Sequence, residues 1–150
     1  MNPNCRECPV CGQPAMAKTS EPIEETAGGR TYLIEGVTRE RCTACNEEFF
    51  AAQQCEEIDK RVTALARADL GRLTSDDIHR LRRELGLTQT DLEQQLGVSA
   101  GTVGRWERGT VLQGGTADRL MRIIWGHPEL LPELGYVARE GRGPYRKRTR

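Results

Sequence analysis

The chain has 150 residues, six cysteines, 37% hydrophobic and only 5% aromatic residues, a length that suits one ordinary domain or two small ones. Lys+Arg and Asp+Glu both total 22, so net charge names no partner, and the 29% charged fraction with a mean hydropathy of -0.62 describes a soluble protein. The longest apolar run is four residues, Phe49 to Ala52, whereas a membrane helix needs about 20 apolar residues and a secretory signal roughly 7 to 15, so neither is expected and the protein is placed in the cytoplasm.

Divided at Leu70, the charge is uneven: residues 1–70 hold 8 basic and 12 acidic side chains, residues 71–150 hold 14 and 10. Such asymmetry suits an acidic module joined to one that meets a polyanion. The cysteines divide along the same line, since all six precede residue 56. In a chain without a signal peptide, clustered cysteines point to metal or redox chemistry more than to structural disulfides.

Cys8-Pro9-Val10-Cys11-Gly12 and Cys42-Thr43-Ala44-Cys45 form two C-x2-C pairs separated by thirty residues. Each pair can present two thiolates on one tight turn, and two such turns make the tetrahedral sulfur cage that zinc prefers. One structural zinc ion per chain is expected on Cys8, Cys11, Cys42 and Cys45. The spacer reads as a two-stranded ribbon, with β-prone Thr31 to Val37 folded by the turn Ala27-Gly28-Gly29-Arg30 against the segment from Ala15 to Thr26. A disulfide framework and a redox C-x-x-C remain alternatives, the second without a βαβ pattern around it. Cys5 also stands in C-x2-C register with Cys8 and can replace a ligand, although the Cys-Pro-x-Cys-Gly pattern favours Cys8 with Cys11. Cys55 has no paired cysteine and reads as an ordinary thiol. A core this small buries little apolar surface, so the metal would supply folding free energy and not chemistry.

From Ala52 to Ala68, Ile58, Val62 and Leu65 recur at helical steps, and Gly71 interrupts the pattern. This helix either links the two halves or belongs to the small core of the zinc module, and periodicity does not say which.

Three later segments share one design for starting a helix: Leu73-Thr74-Ser75-Asp76-Asp77-Ile78, Leu87-Thr88-Gln89-Thr90-Asp91-Leu92 and Val98-Ser99-Ala100-Gly101-Thr102-Val103. In each, a Ser or Thr caps the helix and flanking apolar residues staple it. Gly86 and Gly97 close the first and second helices. Only Leu96-Gly97-Val98 separates the second helix from the cap at Ser99, the tight glycine-containing turn of a helix-turn-helix. A fourth helix is predicted from about Thr116 to Gly126 with Leu120, Ile123 and Ile124 inward, and a last short one from Pro128 through Leu134.

The run Leu87-Thr88-Gln89-Thr90-Asp91-Leu92, then Gly97-Val98-Ser99, then Thr102-Val103-Gly104-Arg105-Trp106-Glu107-Arg108-Gly109 resembles the phage-repressor (Cro/C1, or XRE) class of helix-turn-helix. The joint order, a two-C-x2-C module followed by this domain and by His127-Pro128-Glu129-Leu130-Leu131, resembles the MqsA antitoxins, which carry a YgiT-type zinc finger. The resemblance implies a dimeric DNA-binding antitoxin whose zinc half neutralises an mRNA-cleaving toxin while its other half represses its own operon.

The residues also carry a physical reading of the DNA contact. If the helix from Ser99 to Glu107 enters the major groove, Ala100, Gly101, Thr102 and Arg105 face base edges, and Arg108 lies at the helix end. Ala100 and Gly101 offer no hydrogen-bonding side chain, so Arg105 is the main reader, able to pair with guanine. Gln89 and Ser99 are placed to reach phosphate. Val103 and Trp106 lie on the opposite face as core. The tail from Gly141 to Arg150 is basic, and it reads equally as a nucleic-acid arm or a solvated terminus.

The expected architecture is multi-domain α+β: a small zinc-bound β-ribbon module over residues 1–51, a linker helix over 52–72, an all-α five-helix helix-turn-helix domain over 73–136, and a basic disordered tail over 137–150. The expected function is that of a type II antitoxin, a homodimer on a palindromic operator with a cognate toxin partner and no membrane. The alternative is a free-standing regulator of the same build. An adaptor is a further reading. An enzyme is not expected, because there is no HExxH run and no phosphate-cradling glycine loop, and neither His79 nor His127 stands beside a visible nucleophile.

Overall fold

The computed structural model describes residues 6–134, in two compact units. The first comprises the described residues up to Thr74 together with Arg108–Leu112, and the second Ser75–Glu107 with the described residues from Gln113 onward.

Five strands and one helix build the first unit: β1 (Met16–Thr19), β2 (Ile23–Ala27), β3 (Arg30–Ile34), β4 (Arg39–Cys42), β5 (Glu48–Phe49) and α1 (Ala52–Leu70). The strands form two antiparallel sheets. β2 pairs with β3 alone, and β1, β4 and β5 make a second sheet in that spatial order. This corrects the single ribbon expected from Ala15 to Val37. The hairpin begins at Ile23, while Met16 to Thr19 pair instead with Arg39 to Cys42. The glycines dictate the hairpin, because Ala27 faces Arg30 across the ladder and leaves only Gly28 and Gly29 to turn, with φ of 61° and 80°. That is the two-residue turn whose twist matches the strands, and it needs residues at home with positive φ.

One face of the hairpin and one face of α1 share a core of Ile23, Ile34, Val37, Ile58 and Val62, with Tyr32 and Phe50 packed against it. Asp69 near the end of α1 accepts hydrogen bonds from Arg30 (2.6 Å) and from the Tyr32 hydroxyl (2.9 Å), tying helix to hairpin. Leu65 does not join this core. It is 45% exposed, and the inward stripe runs through Thr63, Ala66 and Arg67 instead. Gly71 ends α1 in the left-handed conformation, φ 61°. A smaller cluster of Cys8, Met16 and Cys42, with Ala15 and Phe49, lies under the three-stranded sheet.

A Cβ at Gly28 would stand 2.6 Å from Leu70 Cδ1 and 3.0 Å from Leu112 Cδ2, whereas one at Gly29 meets nothing within 4 Å. Gly29→Ala should therefore cost only the backbone penalty of a left-handed alanine, about 1 to 2 kcal/mol. Gly28→Ala should cost measurably more in thermal or denaturant unfolding. Equal costs for the two variants would show that Leu70 and Leu112 yield freely.

The second unit holds α2 (Ser75–Glu84), α3 (Gln89–Leu96), α4 (Thr102–Arg108, whose last residue belongs to the first unit), α5 (Gly115–Gly126) and a 3-10 helix (Pro128–Leu134). Ile78, Leu81, Leu85, Leu92, Val103, Trp106, Met121, Ile124 and Leu131 are its buried apolar side chains, and α5 lies against α2, α3 and the 3-10 helix. The inward face of α5 is the expected one only in part: Ile124 is buried and Leu120 half-buried, but Ile123 is 48% exposed, and Asp118 and Met121 point inward. Buried Asp118 is satisfied by Gln113 Nε2 at 3.1 Å and Arg122 Nε at 2.9 Å, which is how a carboxylate comes to occupy an inward position.

Candidate metal centre and candidate nucleic-acid interface

The two C-x2-C segments fold into the same backbone turn. In the first, the Cys8 N–H donates to Gln13 O (2.9 Å) and the Gly12 N–H to Cys8 O (2.9 Å). In the second, the Cys42 N–H donates to Glu47 O (2.9 Å) and the Asn46 N–H to Cys42 O (2.8 Å). Both turns need a left-handed residue after the second cysteine, supplied by Gly12 (φ 73°) and by Asn46 (φ 61°), the latter being the positive-φ residue other than glycine among those described. Asparagine is among the side chains that tolerate this conformation best. The Thr43 N–H donates to Ala15 O at 2.8 Å, and the β1–β4 ladder sets Met16 opposite Cys42, so the turns are brought together by long-range pairing.

The four sulfurs of Cys8, Cys11, Cys42 and Cys45 lie within 4.8 Å of one another, with Cys8 and Cys42 buried and Cys11 and Cys45 exposed. Cys8 Sγ is 3.7 Å from Cys45 Sγ, and Cys11 Sγ is 3.6 Å from Cys42 Sγ. A disulfide would require about 2.05 Å. A tetrahedral site with each sulfur about 2.3 Å from a metal ion puts the sulfurs about 3.8 Å apart, and the observed spacing fits that geometry. The Val10 N–H points at Cys8 Sγ (3.4 Å), the kind of donor that favours a thiolate.

Proton affinities within the cluster diverge. The Cys42 thiol is brought down to about 7, chiefly by the backbone N–H of Cys45. Cys45 is pushed up to about 12, because desolvation and the neighbouring Cys42, Cys11 and Cys8 thiols override the downward pull of the Glu47 N–H. Cys11 also rises, against the pull of the Gln13 N–H. Four thiolates this close repel one another, and a bound cation is what allows all four to deprotonate. Cys55 is exposed on α1 and stands outside the cluster, and Cys5 lies outside the described residues.

Acidic side chains on the strands and loops of the first unit differ in their pairing. Glu21 and Glu40 pair with Arg41 and Arg6, each at 2.6 Å. Glu24, Glu25 and Glu35 have no ion-pair partner among the described residues. Glu48 holds the buried Arg39 guanidinium through two bonds of 2.7 Å, and the Arg39 bond in turn keeps the Glu48 carboxyl below the usual glutamate range.

In the second unit, α3 starts on a reciprocal cap. Thr88 Oγ1 accepts from the Asp91 N–H (3.1 Å), and the Thr88 N–H donates to Asp91 Oδ2 (2.9 Å). Gly97 ends it at φ 66°. The connection onward is longer than expected, since α4 begins at Thr102 and not just after Ser99. Gly101 has φ 78°, incompatible with a right-handed helix, so Ser99, Ala100 and Gly101 lie in the turn, all exposed. Arg105 projects outward with Nη2 3.2 Å from Thr102 Oγ1, and Arg108 is also exposed. Val103 and Trp106 are buried.

Gln89 is exposed at the start of α3, yet its Nε2 donates to Glu107 Oε2 at 2.7 Å. Glu107 also receives Arg82 Nε at 2.5 Å, and the side chains of this ion pair are only 12% and 8% exposed. Burial raises the Glu107 carboxyl, but the bonds from Arg82 and Gln89 outweigh it and hold the group below its ordinary range. Sequence reading missed this link. Its only signal is a charged residue at an inward position beside Trp106. The basic tail lies outside the described residues.

A four-cysteine cluster of metal-binding geometry, set on a small β unit and joined to a helical unit in which a glycine turn separates α3 from α4, defines a class of small two-unit protein. A family model described as the antitoxin component of a bacterial toxin-antitoxin system, MqsA, matches residues 6–135. The chain belongs to that MqsA antitoxin family. It is similar to the protein "Antitoxin MqsA" of Escherichia coli (strain K12), 27% identical over 129 residues that cover 85% of this chain and 98% of that protein. Among the described residues, no helix is long and apolar enough to cross a membrane.

Proposed function

We propose that this antitoxin binds one zinc ion through Cys8, Cys11, Cys42 and Cys45, neutralises its toxin through the first unit, and represses its own operon through the second. The observation that carries the first part is the sulfur spacing, which suits a tetrahedral thiolate site. Exposed Glu24 and Glu35 and half-buried Glu25, free of ion pairs among the described residues, suit a toxin whose RNA-binding surface is positive, and such complementarity chiefly speeds association and selects the partner.

The second part is supported by the outward Arg105 on α4, set against the buried Val103 and Trp106. In this reading α3 and α4 form a helix-turn-helix within a domain over residues 73–136, with α4 in the major groove and the chain a homodimer on a palindromic site in the cytoplasm. Thr102 and Arg105 face bases, Gln89 and Ser99 approach phosphate, and Ala100, Gly101 and Arg108 flank the contact. No catalytic role is assigned.

Two measurements test it. Arg105→Ala should cost operator binding about 1 to 3 kcal/mol and relax preference at one guanine per half-site. Unchanged affinity and selectivity would remove α4 from the groove. Co-expression of Arg105→Ala with the cognate toxin should relieve the toxin's growth arrest as the unaltered chain does, since neutralisation is assigned to the other unit. Loss of relief in that variant would contradict the division of labour.

A further inference from the structure

The helices α3 and α4 begin in different ways. α3 carries its own cap in Thr88, whereas the residue before α4 is Gly101, which has no side chain and stands at φ 78°. The first N–H groups of a helix have no partner within it. In α4 one of them is met from another element, for the Val103 N–H donates to Glu93 Oε1 at 3.0 Å in a buried contact. Glu93 lies beside Leu92 on the inward face of α3 and is only 5% exposed. A buried carboxylate is costly unless it is bonded, and the N-terminal end of a helix is where negative charge is favoured. At its far end α4 is held again, through Glu107, by Arg82 at 2.5 Å and Gln89 at 2.7 Å. Exposed Arg105 stands between these two contacts, on a helix of seven residues.

We infer that Glu93 is a positioning residue for operator recognition. Its carboxylate stands in for the cap that Gly101 lacks and sets the first turn of α4 against α3, and with it the direction in which Thr102 and Arg105 leave the helix. The inference rests on the reading of α4 as the groove helix, and every residue in it belongs to the second unit. Base readout depends on the placement of one side chain, whereas phosphate contacts are numerous and carry no sequence information. Losing the Glu93 bond should therefore reduce discrimination before it reduces general affinity for DNA.

The test uses the full-length, metal-loaded chain and two duplexes at one salt concentration, the promoter DNA upstream of its own gene and a random sequence of equal length. Glu93→Met keeps the length of the side chain and removes the carboxylate. It should weaken promoter binding by about fivefold to tenfold, a range that one hydrogen bond at a helix cap spans, and leave random-duplex binding unchanged. Glu93→Gln keeps a carbonyl oxygen within reach of the Val103 N–H without the charge, and it should discriminate as the unaltered chain does. Glu93→Asp keeps the charge one methylene short, and it should lose discrimination as Glu93→Met does. If Glu93→Met fails to fold, the contrast between Glu93→Gln and Glu93→Asp decides alone. In the DNA-free chain the Val103 amide should exchange faster in Glu93→Asp than in Glu93→Gln. Arg105→Ala is measured beside them. Loss of discrimination in Arg105→Ala with none in Glu93→Asp or Glu93→Met overturns the positioning role alone, as does an equal loss on both duplexes or a Glu93→Gln variant as weak as Glu93→Asp. Unchanged discrimination in Arg105→Ala removes the groove reading on which the inference stands.

Discussion

Cys42→Ser should strip the three-stranded sheet of its order while leaving α2 to α5 folded. The apolar cluster beneath that sheet consists of Cys8, Met16 and Cys42 with Ala15 and Phe49 against it, so two of its three fully enclosed members are themselves metal ligands in our reading. So few apolar side chains do not offset the backbone entropy of ordering the strands, about 1 to 2 kcal/mol per residue. A structural zinc site contributes about 10 to 16 kcal/mol in isolated zinc-finger peptides, which is the scale of what would be lost. The β2–β3 hairpin with α1 has its own aliphatic core in Ile23, Ile34, Val37, Ile58 and Val62 and should persist in part. Amide exchange would therefore collapse first over β1, β4 and the two cysteine turns. Elemental analysis should show zinc falling from about one ion per chain to none. A Cys42→Ser protein with native exchange protection in β1 and β4 would show that the sulfur cluster is not what holds them.

The cysteine turns, the Gly28-Gly29 hairpin turn and the Thr88 cap were legible because each depends on residue types at short fixed spacing. Where a feature depended on which way a helix is rotated, apolar spacing misled. Counting Ile58, Val62 and Leu65 found the helix but put Leu65 inside, because Ala66 is small and Thr63 and Arg67 are polar, and a search for large apolar residues passes over all three. Ile123 was misplaced for the same reason, its inward neighbour Asp118 being a carboxylate that only its partners Gln113 and Arg122 explain. The start of α4 was placed too early at Ser99 because a serine before an apolar run looks like a cap. The contrary signal is Gly101, whose meaning lies in its backbone angle and not in its missing side chain. The separation of the strands into two sheets follows from β1 meeting β4 across the hairpin, a pairing with no local mark.

Glu107→Leu should be among the most destabilising single changes in the helical unit. Of the three bonds that fix the Arg82 guanidinium, 12% exposed, it leaves only the one to the Leu87 carbonyl at 3.0 Å. Removing one partner of a buried pair typically costs about 3 to 5 kcal/mol, whereas replacing both with apolar groups of similar volume is often close to neutral. The double change Arg82→Met with Glu107→Leu should therefore melt higher than Glu107→Leu alone. A double variant less stable than either single would mean that the pair holds the unit together and does not merely satisfy itself. The pH dependence has a definite sign. Because the Glu107 carboxyl is held below its ordinary range, its contribution is complete above the unfolded-state glutamate value and is lost as pH falls through the lower folded value. Glu107→Gln should flatten the acid limb of helical-unit stability, and an unchanged acid limb would assign that limb to other carboxylates.

Both tryptophans lie in the helical unit, Trp106 buried on α4 and Trp125 on α5 with its indole N–H on Glu84 at 2.6 Å. The four clustered thiols lie wholly in the other. The molecule thus carries two optical channels that do not overlap: indole emission reports on the helices alone, and cobalt substituted at the sulfurs would absorb in the visible for the β unit alone. Titrating a chelator should bleach the second while the first holds steady, and DNA arriving at α4 should shift the first, through Trp106, while the cobalt bands stay in place.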